Sequence, residues 1–85
     1  MTTSAAITEA DAALTVDTSG TCCPMPVIEA RNAVYSLEVG QTMVLIATDP
    51  GARVDMPAWA KNTGHELLST AMDGATYRFL IRRTR

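Results

Sequence analysis

The 85-residue chain is 47% apolar and 19% charged with a formal net charge of −2, a balance that excludes wholesale disorder and is too mild to specify a nucleic-acid or membrane partner. A chain of this length forms one domain that buries about 60% of its unfolded surface, near the lower limit for folding without staples. The cysteines are neighbours, Cys22 and Cys23, so a disulfide between them would close a strained ring that staples nothing, and no apolar run reaches the roughly 18 residues of a membrane span. A secreted disulfide scaffold is therefore not expected, and the expected location is cytoplasmic.

Met1 to Ala12 has no periodicity, no basic n-region and no long apolar stretch, and reads as a flexible N-terminal tail rather than a signal peptide, with a single domain over residues 13–85. Ala13 to Asp17 is β-prone and reads as a first strand. Thr18, Ser19 and Gly20 form a loop in which Gly20 supplies freedom to turn. From Val27, the set Val27, Ala30, Val34 and Leu37 marks one face of a helix that Gly40 ends. Thr42 to Thr48, with Met43 to Ala47 continuously apolar, has the pattern of a strand buried on both faces.

Strand, helix and buried strand in succession predict a right-handed βαβ unit with parallel strands. After the break at Asp49-Pro50-Gly51, the residues Met56, Trp59, Ala60 and Thr63 share a helical stripe that Gly64 closes. Pro57 is tolerable there only in the first turn, with Asp55 near the cap. Glu66 to Thr70 and Thr76 to Arg82 are strands joined by the hairpin signal Asp73-Gly74, with Tyr77, Phe79 and Ile81 on one face. The expected fold is an α+β two-layer sandwich in the order βαβαββ, a four-stranded mixed sheet with two helices packed on one face.

Cys23-Pro24-Met25-Pro26 stands between the first strand and the first helix, the place where α/β units put their chemistry. Both prolines suit a helix start, where no N–H donor is needed. Met25 precedes a proline and is biased away from α, so the first regular turn is expected at Pro26. A cysteine at a helix N-terminus is expected to gain thiolate character from unpaired amides and the macrodipole. Set against this is the ordinary buried, inert cysteine, and the tetrapeptide alone does not decide between them.

The longer stretch from Asp17 to Pro26 resembles the Cys-Pro-x-Pro signature of the TusA/SirA sulfur-carrier family, with an acidic residue and a glycine upstream. Asp49-Pro50 with Asp55-Met56-Pro57 is similar to that family's second motif, Gly64 to Leu67 to its third strand, and Tyr77 to Arg82 to its closing strand, so the resemblance covers about Leu14 to Arg83. It implies the same βαβαββ fold. It also implies that Cys23 carries sulfane sulfur as a persulfide, loaded by a cysteine desulfurase or rhodanese-type donor and relayed to an acceptor such as a DsrE-like sulfurtransferase or another thiol protein. No cofactor is implied beyond the covalent persulfide. The activity would be that of a carrier, not of an enzyme turning over a small molecule, and the chain is expected to be a monomer.

Thr21 and Cys22 depart from the family pattern, which usually has leucine and a polar or basic residue there. Losing a positive neighbour weakens thiolate stabilisation at Cys23. Gly20, Pro24 and Pro26 are the supporting motif residues, Cys22 is a candidate secondary thiol, and Met25, Arg31, Arg53 and Trp59 are candidates for a partner surface. His65 lacks a second ligand in metal spacing and reads as structural, so no metal site is expected. Asp49 and Asp55 read as a turn residue and a helix cap. Direct nucleic-acid binding by the C-terminal arginines is not expected, since stacking aromatics are scarce. The alternative from another class is a non-catalytic redox-sensing or protein-interaction module. The resemblance leaves the pathway open among tRNA thiolation, cofactor biosynthesis and sulfur oxidation.

Overall fold

The computed structural model describes residues 12–85, and the expected tail up to residue 11 lies outside the described residues. Among the described residues, the elements are β1 (Leu14–Asp17), α1 (Met25–Val34), β2 (Thr42–Ala47), α2 (Ala52–Thr63), β3 (Glu66–Asp73) and β4 (Thr76–Arg82). They form a four-stranded sheet in the order β1-β2-β4-β3. The β1–β2 pair is parallel and both pairs involving β4 are antiparallel, which gives the expected mixed sheet and βαβαββ order.

The core lies between the sheet and the helices. Met43, Leu45 and Ala47 of β2 and Phe79 and Ile81 of β4 meet Ala30 and Val34 of α1 and Ala52, Met56, Trp59 and Ala60 of α2. These positions alternate along the strands and recur at helical spacing, so one face of the sheet is covered by both helices. Val44 and Ile46 point to the other face and are also buried, as the uninterrupted apolar run predicts for a central strand. On that face Val44 is flanked in register by Thr15 and Leu80, and Ile46 by Asp17 and Arg78.

Three boundaries differ from the sequence expectation. Helix α1 stops at Val34 instead of continuing to Gly40. The following amides turn back after three residues, Ser36 N–H to the Ala33 carbonyl at 2.9 Å and Leu37 N–H to that of Val34 at 3.1 Å. This tighter winding carries Leu37 into the core while ending the α-helix. Pro57 is the sixth residue of α2, not a first-turn residue. It removes one donor, and the partner that loses it is the carbonyl of exposed Arg53, where water can serve. Strand β3 runs on to Asp73, with a register shift between Leu67 and Ser69 that leaves Leu68 as the extra, exposed residue of a bulge.

Gly64 ends α2 in the left-handed region at φ +87°, and its N–H donates to the Ala60 carbonyl at 3.0 Å. A Cβ there would also lie 3.1 Å from the Arg85 guanidinium. Gly64→Ala is expected to destabilise the domain by about 1–2 kcal/mol, measured by urea unfolding. A midpoint equal to wild type would show that the cap is dispensable.

The C-terminal arginines are engaged within the fold. Arg82 pairs with Glu66 across the β3–β4 ladder, while Arg83 donates to the Leu37 carbonyl and lies over the Tyr35 ring with 5.5 Å to its centroid. His65, just before β3, packs beside Trp59 at 5.6 Å between centroids, and its Nδ1 accepts from the Thr84 N–H at 3.3 Å. Burial, then the charges of Arg83 and Arg85, lower the His65 pKa below its ordinary value.

Candidate active site around Cys23

Because β1 and β2 are parallel neighbours, the loops that follow them open at the same edge of the sheet. One loop carries the cysteines and the other carries Thr48 and Asp49. They are tied together by hydrogen bonds. Thr18, 2% exposed, donates from its hydroxyl to the Ile46 carbonyl at 2.6 Å and from its N–H to the same oxygen at 2.8 Å. The Thr21 hydroxyl donates to the Thr18 carbonyl at 2.7 Å, and the Gly20 N–H donates to the Thr48 hydroxyl at 2.9 Å. Gly20 sits at φ +82°, the left-handed turn that lets its amide face Thr48.

Cys22 and Cys23 are both free and exposed on this braced loop. Two carboxylates converge on Cys23. Its N–H donates to Asp49 Oδ2 at 3.2 Å, and its Sγ donates to Asp55 Oδ2 at 3.0 Å. Neither aspartate is merely local in role, as the sequence suggested. Asp49 does make a turn through its carbonyl, which accepts from the Ala52 N–H at 3.0 Å, but Gly51 is the N-cap of α2 with no side-chain cap. Asp55 lies a turn inside the helix, so its side chain is free to reach the thiol.

The expectation of a helix-stabilised thiolate fails here for a physical reason. Pro24 is the N-cap and Pro26 the second residue of α1, so neither offers an amide. Met25, helical despite preceding a proline, donates to the Cys22 carbonyl at 2.9 Å, and Val27 and Ile28 both donate to the Pro24 carbonyl at 3.1 Å. The first turn therefore presents no unpaired amide to the sulfur. Instead the thiol's pKa is raised above its ordinary value, first by the hydrogen bond to Asp55, then by desolvation and by the charges of Asp55, Asp49 and Cys22.

Gly51 guards this arrangement. A Cβ on it would stand 2.9 Å from Asp49 Oδ2 and 3.7 Å from Asp55 Oδ2. Gly51→Ala is expected to push the Asp49 carboxylate away and weaken its bond to the Cys23 amide. The backbone N–H resonance of Cys23 reports this: an upfield shift of several tenths of a ppm is expected, and an unchanged resonance would mean that the carboxylate has room.

The remaining candidates distribute around the two helices. A groove of about 390 Å³ runs from the site, lined by Cys23, Pro24, Val27, Asp55, Ala58, Trp59 and Asn62. Met25 is exposed, and Pro26 is buried beneath the loop. Arg31 lines a second groove with Trp59 and His65, and Arg53 lies across α2 beside Tyr77 in a third. Trp59 is only 8% exposed and belongs to the core while edging two of these grooves. Arg53 thus lines a different groove from Arg31 and Trp59. Among the described residues, no three or more His, Cys, Asp and Glu side chains are grouped to hold a metal ion, and no helix is long and apolar enough to cross a membrane.

The family model described as Sulfurtransferase TusA matches residues 14–83. The chain is 39% identical over 69 residues to "Sulfur carrier protein TusA" of Allochromatium vinosum, covering 81% of this chain and 91% of that protein. It is 38% identical over 72 residues to "Putative sulfur carrier protein YrkF" of Bacillus subtilis, which covers 85% of this chain but only 39% of that longer relative. The crystal structure of a SirA-like protein from Desulfitobacterium hafniense superposes with a TM-score of 0.73 at 24% identity, over 85% of this chain and 99% of that one, and so shares the fold. The cysteine loop, the second aspartate motif and both closing strands all fall inside the matched region, and the chain belongs to the TusA sulfurtransferase family.

Proposed function

We propose that this protein is a sulfur carrier that accepts sulfane sulfur as a persulfide on Cys23 and relays it to the thiol of an acceptor protein. The observation that carries this reading is an exposed free thiol on a loop braced to the end of β2, in a chain whose relatives bear the sulfur-carrier name. In loading, Cys23 Sγ attacks the outer sulfur of a donor persulfide. A new S–S bond forms at Cys23, the donor's S–S bond breaks, and the Cys23 proton ends on the donor sulfur that departs. Unloading is the same exchange reversed onto a new thiol, so no external oxidant or reductant and no metal or organic cofactor enters.

The donor is of the cysteine desulfurase or rhodanese type and the acceptor is a DsrE-like sulfurtransferase or other thiol protein, each meeting the monomeric carrier at the loop and the groove beside it. Cys22 is a bystander in this scheme, and the protein works in the cytoplasm. The test is intact-protein mass spectrometry after incubation with a persulfide donor. A gain of one sulfur atom, removed by dithiothreitol, is expected. No gain with any donor would return the protein to a non-catalytic interaction module.

A further inference from the structure

The carboxylate on Cys23 has a consequence for which way sulfur moves. A thiolate-activating site would surround the sulfur with donors or cations. Here the Sγ–H points to Asp55 Oδ2 at 3.0 Å, Asp49 Oδ2 holds the same residue's amide at 3.2 Å, and the adjoining groove is lined by Pro24, Val27, Ala58, Trp59 and Asn62 with no basic side chain. The first turn of α1 contributes neither an acid nor a free amide, and Cys22 is the other titratable group facing the sulfur. The groups around Cys23 therefore suit a neutral thiol and oppose an anion.

Resting on the carrier reading above, we propose that Asp55 is a positioning residue that keeps Cys23 a weak sulfur acceptor, holding the empty thiol by its proton and opposing the loaded persulfide anion, so that sulfur is biased to leave. The empty state has a proton to donate to Asp55. A persulfide is more acidic than a thiol, and once Cys23 carries the outer sulfur as an anion, Sγ has no proton and that hydrogen bond is gone. The anionic sulfur then faces the charges of Asp55 and Asp49. Both changes lower the affinity of Cys23 for sulfur relative to an ordinary thiol. The raised pKa of the empty thiol is the same electrostatic preference seen in the other direction.

The test uses the full chain with Cys22→Ser, so that only one thiol reports, and compares it with the same chain carrying Asp55→Asn. Each is equilibrated with glutathione persulfide and glutathione at fixed ratio, and the loaded fraction is read by mass spectrometry. In Asp55→Asn the equilibrium constant for loading is expected to rise about three- to tenfold, equivalent to up to one pKa unit. The rate of Cys23 alkylation by neutral iodoacetamide at pH 7 is expected to rise as its pH profile moves down, a readout that a merely structural change would not produce. Asp49→Asn should move both in the same direction by less. Loading in both proteins with equal constants would overturn this proposal and leave the carrier reading intact. Absence of persulfide on either protein, with Cys23 still alkylated, would overturn the carrier reading and this proposal with it.

Discussion

Cys23→Ser is expected to remove all persulfide loading, and Cys22→Ser to leave it at the wild-type level. The two side chains are adjacent and both exposed, so accessibility does not separate them. Their surroundings do. Cys23 is held by Asp49 through its amide and by Asp55 through its sulfur, at the mouth of the α1–α2 groove, whereas among the described residues no hydrogen bond fixes the Cys22 sulfur. Serine is nearly isosteric but cannot accept sulfane sulfur, because its alkoxide is a far poorer nucleophile and leaving group toward sulfur than a thiolate. The loss at Cys23 should therefore exceed about 100-fold, read by mass spectrometry as the fraction carrying one additional sulfur. Equal loss in both variants would mean that the cysteines act as a pair, and the single-carrier scheme would have to be abandoned.

Leu45→Ala is expected to cost about 3 kcal/mol, within the usual range of about 2–5 kcal/mol for truncating a buried leucine. Leu45 is fully buried on β2, registered between Val16 of β1 and Phe79 of β4, and belongs to the cluster that includes Met56 and Trp59 of α2. A central strand between two hydrogen-bonded neighbours cannot shift inward to fill the cavity. For a domain of this size the total stability is about 4–13 kcal/mol, so this loss is a large share of it. Urea unfolding should show a lower midpoint with little change in slope. The exposed Val54→Ala, at a position 73% exposed, should stay within about 0.5 kcal/mol of wild type. A cost at Leu45 below about 1 kcal/mol would mean that the core relaxes around the gap.

The local elements were legible because each was written in a short-range pattern. The apolar run Met43 to Ala47 marked the central strand, the alternation of Tyr77, Phe79 and Ile81 marked the core face of β4, and Asp73-Gly74 marked the hairpin, whose turn residues are Gly74 and Ala75. The errors arose where one pattern allowed two geometries. The apolar stripe ending in Leu37 fits a continued helix and a tightened turn equally well, since both bring that side chain to the core. Pro57 obeys propensity less than expected, because packing of Met56, Trp59 and Ala60 holds α2 through it.

The sequence by itself determined the order of elements and the buried strand, since these follow from periodicity and turn chemistry, and its resemblance to the sulfur-carrier family singled out Cys23 as the candidate carrier residue. Only the tertiary structure decided the environment of that residue. Asp49 and Asp55 are 26 and 32 positions from Cys23, and each has an adequate local explanation when read alone. Parallel pairing of β1 with β2 brings their loops to one edge, and the packing of α2 against the sheet turns Asp55 toward the sulfur. The prolines that looked favourable for a helix start also withdraw the amides that would have stabilised a thiolate. The charge state of a thiol depends on which groups lie within a few ångströms, and for Cys23 those groups are assembled from distant parts of the chain.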